Sequence, residues 1–363
     1  MLVIEDKIDV TLDYHFNGYN LNDTIFFDIE TTGFSPETTA LYLIGCLYYR
    51  EDHWNLIQWF ANDYTSEKEI LISFFAFLKD FKILVHYNGT GFDIPYLLKK
   101  CRFHQLDYSF DQIDQIDIYK KINPYKKTFR IPNLKQKTIE QFLDISREDT
   151  YSGGELIDVY RNYLLGLRTN SENSNELKVL LLLHNKEDLI GMLKVSKILC
   201  YPDLFEKDFE ITKTNLEEEF LQIQILFGNS LPKRISFGND ILYLNAFGNH
   251  ATIKINLYKN ELKFFYDNYK DYFYLPKEDT AIHKSVAFYV DKDFRTRAKA
   301  ANCYSKKTGC FVPQYKDIIT PYFKIDYLDK VKYIETTEEF LNNYEDIKKY
   351  VSHLFTHFVH GSK

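Results

Sequence analysis

The sequence predicts an α/β protein built on a mixed sheet flanked by helices, followed by an α+β accessory region. Three observations carry this. Three β-prone segments lie close together near the start, at Ile25–Glu30, Leu41–Tyr49 and Trp54–Ala61, with gaps short enough for antiparallel hairpins. Helical and strand-like segments then alternate, which places helices on the faces of a sheet. After Leu221 the pattern turns strand-rich.

Taken in order, residues 1–24 read as an irregular or short-stranded lead-in. After the three strands, Ser66-Glu-Lys-Glu69 has the form of a capping box, and helical spacing continues through Ile70–Phe81. Ile83–Tyr87 is a compact apolar strand. Asn88–Gly91 turns, and Pro95 suits the first turn of a helix running to about Phe103. Ile113–Tyr119 reads as a fifth strand and Leu134–Leu143 as a helix. Ser152-Gly-Gly-Glu155 is the cap of another helix. A polar loop, Thr169–Asn175, precedes a long helix from about Glu176 to Leu199. The ribonuclease-H-like fold is one arrangement of this kind. A boundary is expected past Pro202, giving a domain over 1–205 and an accessory domain over 206–363. In the latter, Ala251–Tyr258 with Glu261–Asp267, and Phe294–Tyr304 with Cys310–Tyr315, read as two hairpins. Thr280–Val290 reads as a helix and Thr336–His357 as a terminal helix.

Composition narrows the function. The 363 residues suffice for two domains with a sizeable core, and 45% hydrophobic with 27% charged residues places the chain in the soluble globular class. The acids in Met1–Lys7 do not fit a signal peptide, and no apolar run approaches a membrane span. Five scattered cysteines without a C-x-x-C pair fit a reducing cytoplasm. A net charge of -7 argues against a protein that coats nucleic acid by electrostatics alone. Nucleic-acid contact must be local or carried by metal ions.

The chemistry starts at Ile25-Phe-Phe-Asp28-Ile-Glu30-Thr31-Thr-Gly33. Alternate strand residues share a face, so Asp28 and Glu30 stand side by side. Two like charges about 4 Å apart repel by roughly 4 kcal/mol at an effective dielectric near 20. Water or a metal ion must compensate the pair. The second acid site is His86-Tyr-Asn88-Gly-Thr-Gly-Phe92-Asp93, where an apolar strand ends in an open, glycine-bearing turn and Asp93 opens a helix. Asp93 equally fits a plain helix cap. The third is His184-Asn-Lys-Glu-Asp188, whose His184 and Asp188 share one helical face and leave Glu187 toward solvent.

These three segments resemble the DEDD superfamily of 3′-to-5′ exonucleases. The first matches the motif D-I-E-T-T-G. The second resembles the corresponding motif of family B DNA polymerase proofreading domains, and the third matches in position and in Asp188. The best overall likeness is to the small bacterial YprB-like group, over roughly residues 24–200. The resemblance implies a ribonuclease-H-like fold, with Asp28, Glu30, Asp93 and Asp188 holding two Mg2+ or Mn2+ ions. Asp28 would bridge both ions, Glu30 and Asp188 would serve the nucleophile's ion, and Asp93 the other. His184 would act as general base. Thr31, Asn88 and Phe92 would meet the strand. Family members have either Tyr with three residues between it and the last Asp, or His with four between; this chain has His184 at the Tyr spacing, with three residues between it and Asp188.

From Lys120 to Lys137 there is no acid, and Lys126, Lys127 and Arg130 are interleaved with Tyr125 and Phe129. Cations there would track phosphates while the aromatics stack on bases; the stretch also fits a solvated loop. A second acid-free run, Phe294–Lys316, places Arg295, Arg297 and Lys299 at strand alternation. The expected partner is the 3′ end of single-stranded DNA or RNA, with no membrane. A structure-specific nuclease on the same site, or a binding protein without turnover, fits the same residues.

Overall fold

The computed structural model describes residues 1–16, 18–149, 151, 153–169 and 173–360. The expected cap Ser152 and part of the polar loop 169–175 lie outside the described residues. The chain divides into two compact units, Met1–Pro202 and Asp203–Lys363.

The first unit runs β1 (Leu2–Ile8), β2 (Thr24–Thr31), β3 (Leu41–Arg50), β4 (His53–Phe60), α1 (Glu67–Leu78), β5 (Ile83–His86), α2 (Asp93–Phe103), β6 (Asp114–Asp117), α3 (Ile118–Ile122), α4 (Lys126–Phe129), α5 (Gln136–Phe142), α6 (Gly153–Thr169) and α7 (Ser174–Val195). The dividing point lies inside α8 (Cys200–Glu206). The sheet is mixed, in the order β1-β4-β3-β2-β5-β6. β1 to β4, β4 to β3 and β3 to β2 are antiparallel, while β5 is parallel to both β2 and β6. Helices flank it, as the ribonuclease-H-like expectation requires. The apolar runs of β2, β3 and β5 explain why these strands are central, since both their faces are covered. Glu51 and Asp52, with φ of 53° and 62°, form the two-residue turn that joins β3 to β4 with the native twist.

Two features of this sheet prepare a site. β5 pairs with β2 only as far as Phe26↔Val85, so the rest of β2 runs on past the end of its parallel neighbour. On its other side Asp28, Gly45 and Gln58 stand in register across β2, β3 and β4. α7 covers this row. A Cβ on Gly45 would overlap Asn185 Oδ1 and lie 2.8 Å from Leu189 Cδ1, so the helix approaches β3 at glycine-only distance.

One local expectation fails in this unit. The capping box at Ser66 does not form, because Ser66 is itself helical and makes no side-chain cap. Its hydroxyl turns to Asp63, whose Oδ1 also accepts the N–H groups of Thr65 and Ser66 at 2.8 Å. Glu69 lies 3.8 Å from the amino terminus of Met1.

The second unit runs β7 (Phe209–Leu216), β8 (Phe220–Gly238), β9 (Leu242–Asn256), β10 (Tyr258–Phe265), β11 (Tyr272–Leu275), β12 (Thr280–His283), α9 (Lys284–Ala287), β13 (Thr296–Arg297), β14 (Tyr304–Gln314), β15 (Lys332–Glu335), α10 (Glu338–Asn342) and α11 (Tyr344–His360). Its described residues form three small sheets, β7-β8-β9, β10-β14-β15 and β12-β11-β13. Neither expected hairpin forms. β9 pairs with β8 because their buried alternation matches, Leu221 facing Ile255 and Ile223 facing Ile253. β10 pairs instead with β14, from Tyr258↔Phe311 to Phe265↔Tyr304. Ser305–Gly309 therefore lies within a strand, and its lysines meet acids: Lys306 on Asp279, and Lys307 2.6 Å from Glu335. Thr280–Val290 opens as β12 before the one-turn α9, and the terminal helix divides at Asn343.

Gly45→Ala tests the close approach. It is expected to lower the unfolding free energy by about 1–3 kcal/mol through overpacking. Gly154→Ala, where the added carbon meets open space in α6, should be neutral or stabilising by up to about 1 kcal/mol. Urea melts of the two variants check the contrast; equal midpoints would contradict it.

Candidate metal centre and active site

Asp28 sits in mid-β2, where Asn185 Nδ2 donates to its Oδ2 at 2.9 Å. Asn185 is fully buried, and its Oδ1 accepts from Gln58 Nε2 at 2.9 Å. One amide thus ties α7 to both β2 and β4 across Gly45. Glu30, two residues on, is buried, with the Tyr42 hydroxyl 3.5 Å from its Oε2.

Asp93 is delivered by a pinned turn. Asn88 takes a left-handed conformation at φ 61°. Asp117 accepts the N–H of Asn88 at 3.0 Å and the hydroxyl of Thr90 at 2.5 Å, and also caps α3 through the N–H of Lys120. His86 Nδ1 accepts the N–H of Gly89 at 3.1 Å, and burial holds this imidazole down to about 4. The turn then places Asp93 as the first residue of α2, buried.

α7 supplies the remaining groups. His184 is buried, with Nε2 3.2 Å from Asp188 Oδ2 and 3.7 Å from Glu30 Oε1. Ligand atoms of Glu30, His184 and Asp188 all lie within 4.8 Å of one another. The ring therefore points at the acids despite its unusual spacing. Nδ1 lies 2.6 Å from Asp149 Oδ2, and Arg147 NH2 lies 2.6 Å from Asp188 Oδ1.

The electrostatics are those of acids crowded in low dielectric. Burial, then the charges of Asp188, Glu30 and Asp93, push Asp28 well above the ordinary carboxylate range. Burial raises Glu30 to about 8, against the pull of His184. Burial raises Asp93 to about 7, although hydrogen bonds from the backbone at Asp93 and Ile29 oppose it. Burial would raise Asp188 too, but His184 and Arg147 hold it below its ordinary value. Burial disfavours the His184 cation, yet Asp188, Glu30 and Asp149 lift it to about 9. The donor set fits hard divalent cations: several carboxylate oxygens that resist ionisation until positive charge arrives.

The expected substrate residues are dispersed. Thr31 ends β2 and its hydroxyl donates to Gly33 O at 2.9 Å. Asn88 is exposed in the turn. Phe92 is half-buried and meets Phe34 edge-on, ring centroids 5.9 Å apart. Phe34, 90% exposed, is a residue the motif reading passed over. Lys126, Lys127 and Arg130 are exposed on and after α4. No hydrogen bond or ion pair among the described residues links these three to the four acids. Tyr125 and Phe129 overturn the stacking expectation: both are buried, Phe129 packing edge-on against Tyr201 at 5.1 Å. Glu187 is a second correction. It accepts the N–H groups of Glu148 and Asp149 at 3.0 and 2.7 Å instead of facing solvent. Asn185, Gln58, Arg147 and Asp149 escaped sequence reasoning; only Asn185, between two marked residues of a helix, had a local signal.

In the second unit, Arg295 and Arg297 both lie over Phe273, at 4.9 and 4.7 Å from the ring centre. All five cysteines are free, and no helix among the described residues is long and apolar enough to cross a membrane.

Residues 25–200 match the model of a family described as the RNase_H superfamily. A stretch of 51 residues, 14% of this chain, is 33% identical to a DNA polymerase of Ostreid herpesvirus 1 (isolate France) and spans 3% of that protein. Among solved structures, the family B DNA polymerase of the hyperthermophilic archaeon Pyrobaculum calidifontis is similar with a TM-score of 0.36 and 12% identity, over 68% of this chain and 35% of that one. The chain spans well under two thirds of either polymerase.

The pKa shifts set a pH dependence. A carboxyl whose folded value exceeds its ordinary value near 4 contributes stability below about pH 4, lost as pH rises through the folded value. Asp93 loses its share through about 7, Glu30 through about 8, and the raised His184 through about 9. In chelator, the melting temperature should fall by at least a few degrees between about pH 6 and 9. Mg2+ or Mn2+ should restore it, most strongly at the alkaline end. A flat profile in calorimetry, with no metal effect, would contradict the electrostatic account.

Proposed function

We propose that this chain is a metal-dependent 3′-to-5′ exonuclease acting on single-stranded nucleic acid, DNA foremost. The observation that carries the reading is the convergence of Glu30 and Asp188 around His184, with Asp28 close enough to feel the charges of Asp188, Glu30 and Asp93, and Asp93 close enough to bear on Glu30 as well. The match of residues 25–200 to the RNase_H superfamily supports it, and the local identity to a viral DNA polymerase supports DNA.

Asp28, Glu30, Asp93 and Asp188 would hold two Mg2+ or Mn2+ ions. When bound, such a pair supplies the positive charge that activates an attacking water and stabilises a leaving 3′ oxygen. The chain's own residues do the rest. The acids hold the metal-free ring protonated; with their charge offset by bound cations, His184, its Nε2 toward Glu30 and Asp188, would take the proton of the water. Asn185 holds Asp28 in place. The exposed Phe34, edge-on to Phe92, which directly precedes Asp93, offers a base a stacking surface. Lys126, Lys127 and Arg130 serve phosphates further along the strand. Residues 206–363 act as an accessory domain, and a cytoplasmic location fits five free cysteines.

The test is a 5′-labelled single-stranded DNA and its RNA counterpart, each with Mg2+, Mn2+ or chelator. A ladder descending from the 3′ end that vanishes with chelator is expected, and a circular single strand should survive. Asp28→Asn and Asp188→Asn should each cut the rate by at least about 10^3, and His184→Ala by about 10^2 to 10^4. No cleavage of either polymer, or acid variants within a few-fold of wild type, would overturn the reading.

A further inference from the structure

We propose that Asp149 is a positioning residue for His184: its carboxylate fixes the imidazole with a hydrogen on Nδ1 and leaves Nε2 as the nitrogen that serves the acids. The kinetic consequence rests on the nuclease reading; the structural one does not.

The side chain of Asp149 is fully buried, and its Oδ2 lies 2.6 Å from His184 Nδ1. A carboxylate accepts and cannot donate, so the ring nitrogen facing it carries the hydrogen. Two cations lie near the same oxygen, Lys137 Nζ at 3.6 Å and Arg147 NH2 at 3.7 Å. The opposite ring edge then aims Nε2 at Asp188, 3.2 Å away, and Glu30, 3.7 Å away. A ring turned over, or hydrogen moved to Nε2, would leave no lone pair on the side of the acids.

Asp149 is itself held from two directions. Its Oδ1 accepts the N–H of Tyr151 at 3.0 Å. Its own N–H, with that of Glu148, donates to the carboxylate of Glu187, three residues beyond His184 on α7. The helix that carries the imidazole therefore grips the loop that orients it. Arg147, from the same loop, reaches Asp188 one turn on. A solvated turn would not bury a carboxylate completely and aim it at a ring nitrogen.

The geometry sets apart two variants of the full chain. In Asp149→Ala the ring loses its partner. In Asp149→Asn the N–H of Tyr151 keeps the amide oxygen on its own side, so the NH2 group faces Nδ1 and drives the hydrogen to Nε2. On a 5′-labelled single-stranded DNA with Mg2+, the alanine variant should lose about 10- to 100-fold in kcat. Its KM should stay within about twofold, since only the chemical step is touched. The asparagine variant, although nearer in shape, should be no better than alanine; a purely structural role predicts the reverse order. The second readout is 15N NMR of histidine-labelled, Mg2+-saturated protein, with His184→Gln assigning the signal among ten histidines. Wild type should carry hydrogen on Nδ1, and Asp149→Asn should not. A bare Nδ1 in wild type, or an asparagine variant with near wild-type kcat, would overturn the proposal. If no form of the protein cleaves, the nuclease reading falls and the nitrogen spectrum alone decides on Asp149.

Discussion

α7 can lie against the centre of the sheet because position 45 has no side chain. With a Cβ there, Asn185 would have to leave Gln58 and Asp28, and α7 would rise off β3. Lifting it would carry His184 and Asp188 away from Glu30, since both share a stretch of helix with Asn185. The acids therefore meet through a backbone approach as much as through their own chemistry. The early end of β5 completes the arrangement, leaving the far half of β2 without a parallel neighbour. Asp93 enters there on a turn that Asp117 and His86 hold.

The cost of that convergence is electrostatic. Asp28, Glu30 and Asp93 are raised by burial, Asp28 also by Asp188, Glu30 and Asp93, and Glu30 by Asp188 and Asp93, while Asp188 alone is lowered because His184 and Arg147 stand against it. A fold that needed only stability would replace such a cluster with apolar packing, since buried charges seldom repay their desolvation. Local conflict of this kind, in a domain whose core is otherwise well satisfied, is the usual mark of a working site. The compensation is uneven in a telling way: the cations gather at the α7 end, while among the described residues the side-chain donor to Asp28 is the amide of Asn185.

What could be read from the chain followed the range of the interactions. The first sheet rests on apolar runs and short turns, and its central strands lie within a residue or so of their expected bounds. The paired acids of β2 and the i, i+4 face of His184 and Asp188 are local periodicities, visible without knowing the fold. Strand pairing in the second unit is not local. Lys259-Asn260 looked like a turn, yet Leu221 and Ile223 are the partners that β9 needs, about thirty residues upstream. Ser66 looked like a cap until Asp63 took its hydroxyl. Tyr125 and Phe129 looked available until Tyr201 and Phe142 covered the latter. Arg147 and Asp149 lie in a short charged turn with no period at all; only the folded chain sets them beside α7.

The proposed reaction needs two divalent cations held by acids from three separate elements. Crystals of the full chain soaked in Mn2+ would test it most directly through their anomalous scattering. Two peaks about 4 Å apart, each ligated by carboxylates among Asp28, Glu30, Asp93 and Asp188, are the predicted result. Manganese bound elsewhere, with these four carboxylates left in their metal-free contacts, would contradict it.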